Sequence, residues 1–357
     1  VIQTTITKFT SNFKAKREYS KISYLLKSGL KKLVIYCIIG VGVFLLISPF
    51  LSSFLKTPLM PIILTAPVIL FLLILSHTRG ILQGLQKFLA LGINMSIEGI
   101  SKLTIGILLV ILGFHINGAV LGITIAYLVA FVLIFIPLKK YFKTKPKEFD
   151  SKHIYKYALP VLIILLSLTF FYTIDVILVK HYFSDIDAGY YAALALLGKV
   201  IFFGTMAIAQ VMFPKAAELH SRSKPNIKLF KKSLILMFIG ASFITLMYFL
   251  FPKLIIHLSI GDQYYSIAKY LGLFGIFMTF LSLSYLISMY NLSINRSKFM
   301  YILIFFNILE VLLIIFYHNS IIQVVWLLIA ISFILFTVLM IYTFMLKNEA
   351  VNNNSSV

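Results

Sequence analysis

Five ionisable side chains lie deep inside long apolar stretches of this sequence: Glu98, Lys102, Asp175, Lys199 and Glu310. A charge in such a stretch is costly, so it normally faces a protein interior, a water-filled cavity or a charge of opposite sign. Side chains of this kind can bind a charged ligand, or carry a proton or a metal cation. They are therefore the first candidates for chemistry in this chain.

Glu98 and Lys102 are spaced i, i+4, which places them on one face of a helix and lets them pair. Glu98 follows the preceding polar turn by about ten residues, or roughly 15 Å of helix, which puts it near the middle of a bilayer. A neutralised structural pair and a cavity-lining role both fit this position. Arg79, Gln83 and Asn94 lie on the same hairpin and extend the candidate cavity wall.

Lys199 has no acidic residue three or four positions away, so its ammonium group needs an anion from another helix or from a ligand. A binding cavity would satisfy it, and so would an ion pair with Glu98 or Glu310. Glu310 has no local cation, and Asp175 lies toward the outer end of its helix. Each of these carboxyl groups fits either a structural role or coupling to H⁺ or Na⁺, and Glu98 is a third coupling candidate.

Other patterns give little reason to expect an enzyme, a metal or a cofactor. The single cysteine, Cys37, excludes an internal disulfide, the histidines lack metal-ligand spacing, and no phosphate-binding loop is present. Asp185 and Asp187 have the acidic spacing of metal-dependent glycosyltransferases. Asp187 equally suits the N-cap of the next helix, so this pattern is weak.

These side chains must be positioned by membrane helices. The chain of 357 residues is 61% hydrophobic and 12% charged, about half the charged fraction of a soluble domain. A helix needs roughly 20 mostly apolar residues to span a bilayer. Ten such stretches are present, at 33–55, 59–78, 88–113, 117–137, 155–178, 188–213, 232–251, 266–290, 298–317 and 321–346. A membrane barrel would show short alternating strands, so we predict an all-α polytopic membrane protein of about ten transmembrane helices.

The net charge of +21 is concentrated in every second polar segment. Most of the 32 Lys and Arg residues fall in segments 1–32, 79–87, 139–156, 215–232 and 296–298. This alternation is the positive-inside pattern, which places both ends of the chain on the cytoplasmic side of the cell membrane. The basic segments are expected to contact anionic membrane lipids, and the arrangement argues against nucleic acid as a partner.

The longest connection in the first half, residues 139–154, divides the predicted helices. It separates an N-terminal lobe of four full helices at 1–138 from six helices at 155–346, followed by a cytoplasmic tail at 347–357. The chain starts with Val1 and has no signal peptide, so we expect two helices to be missing from a twelve-helix, two-lobe protein. The turns at Lys87-Phe88 and Lys298-Phe299 support a duplication, because each leads into a helix carrying an Asn and a Glu.

Three stretches resemble a known family: TRGILQGLQKFLALGI at 78–93, IDVILVKHYFSDIDAGYYAALALLGKV at 174–200 and AIAQVMFPKAAELH at 207–220. They are similar to the polysaccharide flippases, the exporter branch of the superfamily that also holds multidrug extrusion transporters and the lipid II flippase. The resemblance implies two six-helix lobes facing a central cavity. A lipid-linked oligosaccharide of polyprenyl-pyrophosphate type would cross there, and a cationic cavity would suit Lys199 and Lys102 as phosphate contacts.

Two other functions remain open from the sequence. A multidrug or cation antiporter of the same fold would use carboxylates to recognise cations, which Lys199 does not favour. A polyprenyl-dependent membrane glycosyltransferase would need an acidic metal site and a sizeable loop, whereas the outer turns are short. A flippase working by alternating access is the preferred hypothesis.

Overall fold

The computed structural model describes residues 1–55 and 57–355, so Lys56 and residues 356–357 of the predicted tail lie outside the described part. All regular structure within those ranges is helical. The chain forms two compact units, Val1–Ala158 and Leu159–Val357. The prediction of an all-α polytopic membrane protein is confirmed.

The first unit contains six helices and the start of a seventh. They are α1 (Ile2–Ala15), α2 (Tyr19–Leu55), α3 (Leu59–Gly84), α4 (Phe88–Leu109), α5 (His115–Ile134), the short α6 (Lys139–Lys143) and the first part of α7 (Lys152–Phe170). The end of the basic segment 1–32, from Tyr19 onward, is continuous with the first predicted span in α2. This continuity follows because no helix-breaking residue separates the two.

The second unit contains the rest of α7 and seven more helices. They are α8 (Ile174–Tyr182), α9 (Asp185–Ser221), α10 (Ile227–Leu250), α11 (Pro252–Ser259), α12 (Ala268–Ser293), α13 (Met300–Phe316) and α14 (Ile321–Ser355). Helix α12 is the central one, because every residue from Leu281 to Ser293 is buried. Helix α14 continues beyond the last predicted span, to Ser355.

Eight helical segments of the described chain are long and apolar enough to cross a membrane. One of them, Phe88–Lys143, contains both α4 and α5, which fold back on each other at a turn over Val110–Phe114. Helix α13 is a shorter apolar helix of 17 residues. Each of the ten predicted stretches is therefore mostly helical.

The predicted helix 155–178 is broken, with α7 ending at Phe170 and α8 beginning at Ile174. The break contains no proline. The hydroxyl groups of Thr169 and Thr173 donate to the carbonyls of Leu165 and Thr169, both at 2.9 Å. Threonine hydroxyls compete in this way with the backbone amides that would continue a helix.

Four turns end their helices with the same backbone cap, two in each unit. A non-glycine residue adopts a positive φ at Arg17 (59°), Gln86 (61°), Ser223 (54°) and Asn295 (63°). In each case the next N–H donates at 2.9 Å to the carbonyl five residues back, from Glu18 to Phe13, Lys87 to Leu82, Lys224 to Leu219 and Arg296 to Asn291. This is Schellman capping, and its recurrence agrees with the internal similarity seen in the sequence.

The hairpin of α4 and α5 depends on glycine. A Cβ added at Gly122 would lie 2.5 Å from the Cα of Gly106, and one at Gly118 would lie 2.9 Å from the Leu109 carbonyl. Small residues let helix backbones approach closely in membranes, where van der Waals packing drives association. This close approach positions the polar face of α4 against α3 and α5.

We expect Gly122→Ala to destabilise the first unit, because the new methyl group meets backbone atoms that cannot rotate away. Overpacking of this kind costs about 1–3 kcal/mol, more than the helix propensity that alanine adds. The measurement is the midpoint temperature at which Cys37, buried in the same unit, reacts with a maleimide dye. Gly99→Ala is the control, since Gly99 has nothing within 4 Å of its added Cβ. Equal midpoints for the two variants would contradict the tight hairpin.

Candidate functional site

A buried charge cluster joins α3 and α4 in the first unit. Arg79 donates from Nε and Nη2 to Asn94 Oδ1, at 2.8 and 2.7 Å, and from Nη2 to Glu98 Oε2 at 2.6 Å. Lys102 forms a salt bridge with the other carboxylate oxygen of Glu98. The pairing of Glu98 with Lys102 was predicted from spacing, but the part of Arg79 was not, because α3 extends six residues beyond the predicted span.

The same cluster reaches α5. The side-chain amide of Asn94 donates to the carbonyl of Ala130 at 2.8 Å, and the ammonium of Lys102 lies 4.2 Å from the centre of the Tyr127 ring. Two cations share one carboxylate, so the cluster keeps a net positive charge. Arg79, Asn94 and Glu98 are buried, whereas the side chain of Lys102 is 30% exposed. Lys102 is therefore the member of this cluster that a ligand could reach.

Gln83 lies in a different environment from the other predicted cavity residues. Its carbonyl oxygen accepts hydrogen bonds from Gln3 at 2.9 Å and from the Thr7 hydroxyl at 3.2 Å. These contacts place Gln83 in the interface between α1 and α3. The structure thus brings Arg79, Asn94, Glu98 and Lys102 together and places Gln83 with α1.

The second unit contains two buried acids, one of which contacts a buried tyrosine. The break after α7 places Asp175 in the first turn of α8, and the hydroxyl of Tyr191, on α9, donates to Asp175 Oδ2 at 2.8 Å. Glu310, on α13, is fully buried, and its two carboxyl oxygens have no hydrogen-bond partner among the described residues. Helix α8 packs against both α9 and α13, so the helices that carry Asp175, Tyr191 and Glu310 adjoin one another.

Sequence reasoning identified both acids but missed Tyr191, since a tyrosine next to Tyr190 at a helix start gives no signal of its own. Asn307 also belongs to this region. Its side-chain carbonyl is buried without a partner among the described residues, one turn before Glu310. Asn307 lines a groove of about 350 Å³ between α7 and α13, with Ser167 also in its wall.

Lys199 follows Tyr191 by two turns on α9 and is half-buried. Its ammonium lies 5.6 Å from the centre of the Tyr172 ring, in the break between α7 and α8. The ion pair with Glu310 that the sequence left open is not formed, because both oxygens of Glu310 lack a partner. A cation beside an aromatic face retains its positive charge for another anion.

The acidic pattern of the α8–α9 turn does not converge on a common point. Asp185 forms a salt bridge with Lys180, whereas Asp187 accepts a hydrogen bond from the Ser184 hydroxyl at 2.8 Å. Ser184, not Asp187, is the N-cap, since α9 begins at Asp185. Across the described residues, no group of three or more His, Cys, Asp or Glu side chains could hold a metal ion.

Comparison with known proteins identifies both a family and a fold. A family model described as polysaccharide biosynthesis protein matches residues 2–220. A search of proteins with curated functions gave no match. The chain is similar in structure to an outward-facing multidrug resistance MATE family transporter of the MOP superfamily, with a TM-score of 0.79, 14% identity and coverage of 100% of this chain and 85% of that one.

Two further solved structures show the same fold. The Vibrio cholerae MATE transporter VcmN in its bent form matches with a TM-score of 0.76 and 14% identity, covering 98% of this chain and 85% of that one. The eukaryotic MATE transporter AtDTX14 matches with a TM-score of 0.78 and 11% identity, covering 95% and 82%. Together with the family match, this fold supports a membrane transporter.

We expect Arg79→Leu to destabilise the first unit by about 3–5 kcal/mol, because it leaves a buried carboxylate with a single, partly exposed partner. Lys102→Leu is the matched control and should cost less, since Arg79 and Glu98 stay paired. The Cys37 labelling midpoint described above measures both variants. Adding Glu98→Leu to Arg79→Leu should restore much of the loss. If the Arg79 and Lys102 variants lose equal stability, the cluster does not depend on Arg79.

Proposed function

We propose that this chain, which belongs to the polysaccharide biosynthesis protein family over residues 2–220, transports a lipid-linked oligosaccharide from the inner to the outer leaflet of the cell membrane. Transport would proceed by alternating access, with the basic turns at the cytoplasmic side. The family match favours a saccharide cargo, and the MATE-like fold favours transport. The observation that carries the proposal is Lys199, a half-buried ammonium on α9 whose contact is an aromatic ring.

Lys199 suits the phosphate part of such a cargo. A lysine is a compact point charge that pairs well with phosphate, and the Tyr172 ring holds it without neutralising it. Lys102 provides a second cation in the first unit, where two cations share the carboxylate of Glu98. Both groups match an anionic lipid phosphate better than they match a cationic drug.

The second unit also offers a place for a coupling ion. Two neighbouring carboxyl groups buried in an apolar environment cannot both be charged unless a cation accompanies them. Asp175 is favoured as the anion, because the N-terminus of α8 and the Tyr191 hydroxyl stabilise negative charge there. Among the described residues, Glu310 has neither a helix N-terminus nor a hydroxyl donor beside it. Its negative charge would therefore be neutralised by a bound proton or by a Na⁺ ion shared with Asp175. Binding and release of that cation would couple transport to an ion gradient.

A cation or multidrug antiporter is the second candidate, and the same two carboxyl groups favour it. The fold similarity to MATE transporters is compatible with either cargo. A glycosyltransferase has no such support, since Asp185 and Asp187 contact different partners.

We expect Lys199→Gln to slow flipping of a lipid-linked oligosaccharide in liposomes reconstituted with the full-length protein. A hydrogen bond to a charged group is worth about 1.5–3 kcal/mol, so the rate should fall roughly ten- to a hundredfold. Lys215→Gln, at an exposed lysine on the same helix, is the control and should transport normally. Unchanged flipping by the Lys199 variant, or efflux of cationic drugs with no flipping, would reject the phosphate role.

We expect Glu310→Gln to make transport insensitive to imposed ion gradients, because glutamine mimics a permanently protonated glutamate. Flipping rates are compared with and without H⁺ and Na⁺ gradients in the same liposomes. Glu218→Gln is the control. Glu218 lies near the C-terminal end of α9, on a different helix from Glu310, and it forms a salt bridge with Arg222. Retained gradient dependence in the Glu310 variant would exclude this glutamate from coupling.

A further inference from the structure

A second cavity, of about 170 Å³, lies at the opposite end of α9 from its basic turn. It is lined by the starts of α9, α12 and α14 and by the short turn before α12, through Asp187, Tyr190, Tyr191, Ser266, Lys269 and Tyr270 among others. In the proposed orientation these ends face the outer side. The cavity is not lined by any of the residues proposed above as phosphate or coupling-ion ligands, although its Tyr191 contacts Asp175.

The walls of this cavity combine aromatic faces with a few polar groups. Tyr190 and Tyr270 are half-buried, Ser266 and Lys269 are exposed, and Tyr191 is fully buried at the back. Tyrosines provide rigid apolar faces with a polar edge, and serine and tyrosine hydroxyls both donate and accept hydrogen bonds. Ligand pockets typically combine apolar and aromatic walls with a few polar groups, and this composition suits a small molecule that has an apolar face and several hydroxyl groups.

The charge balance selects a neutral ligand. Asp187 and Lys269 contribute one charge of each sign, so a phosphate would meet a carboxylate and a cation would meet an ammonium. The volume holds roughly six water molecules at about 30 Å³ each, which corresponds to one sugar ring and not to a whole oligosaccharide. A pyranose has both an apolar C–H face for a tyrosine ring and hydroxyls for the polar groups.

We propose that this cavity is a saccharide-binding site that holds one sugar residue of the cargo at the outer side. The inference rests on the proposed transport of a lipid-linked oligosaccharide. Tyr191 forms part of the cavity wall while its hydroxyl donates to Asp175 at 2.8 Å. The sugar site is thus joined by one side chain to the acidic pair.

The test uses the full-length protein in nanodiscs. The ligand is the oligosaccharide that mild acid releases from the lipid-linked oligosaccharides of the organism that makes this protein. Saturation-transfer NMR measures contact between protein and sugar. We expect a signal for the unmodified protein, a loss of at least fivefold in the Tyr190→Leu, Tyr270→Leu double variant and a similar loss in the conservative variant Asp187→Asn. Tyr265→Leu, at an exposed tyrosine of the same turn that does not line the cavity, should retain the full signal.

Flipping in liposomes is measured on the same variants, so that the two proposals can fail separately. If the unmodified protein flips its lipid-linked cargo but gives no sugar signal, or gives one that none of the variants weakens, the sugar site is wrong and transport stands. If the sugar binds and the variants weaken it but the protein does not flip lipid, the site stands and the transport proposal fails. If neither binding nor flipping occurs, both proposals are wrong.

Discussion

The cost of placing charge in an apolar interior governs which parts of this protein are fixed and which can respond. In the first unit that cost is met locally, because Glu98 is held between Arg79 and Lys102 and because Asn94 ties the group to α5. Removing a partner from such a cluster leaves an uncompensated charge, so its geometry is strongly held. The close contact between Gly106 and Gly122 brings α5 next to α4, which allows Asn94 on α4 to reach α5.

The second unit contains a related hairpin, formed by α12 and α13. Its buried carboxyl group, that of Glu310, has no hydrogen-bond partner among the described residues. Helix α13 carries Asn307 and Glu310 after a capped turn, much as α4 carries Asn94 and Glu98. Helix α12 has no charged residue after Lys269, so no arginine reaches Glu310 as Arg79 reaches Glu98. The carboxylate on α4 therefore has two cationic partners, whereas the carboxyl oxygens on α13 have no hydrogen-bond partner among the described residues.

Much of this organisation could be predicted from the sequence, because hydrophobic length and helical spacing are local properties. The apolar stretches gave the spans, and the i, i+4 spacing gave the pair of Glu98 and Lys102. Contacts between helices could not be predicted in this way. The Arg79–Glu98 pair joins residues 19 positions apart, and the Tyr191–Asp175 hydrogen bond exists only because the helix predicted at 155–178 breaks after Phe170.

That break changes the surroundings of Asp175, whose Oδ2 accepts a hydrogen bond from Tyr191 and whose Oδ1 has no partner among the described residues. In a continuous helix its carboxylate would have only side-chain partners, since interior amides are already bonded to carbonyls. At the start of α8, the free amides of a new helix and their dipole favour a negative charge, and the Tyr191 hydroxyl adds a hydrogen bond. Discontinuous helices place ion sites in transporters by the same physics. The discontinuity after Phe170 thus places the carboxyl group of Asp175 at a helix start within the second unit.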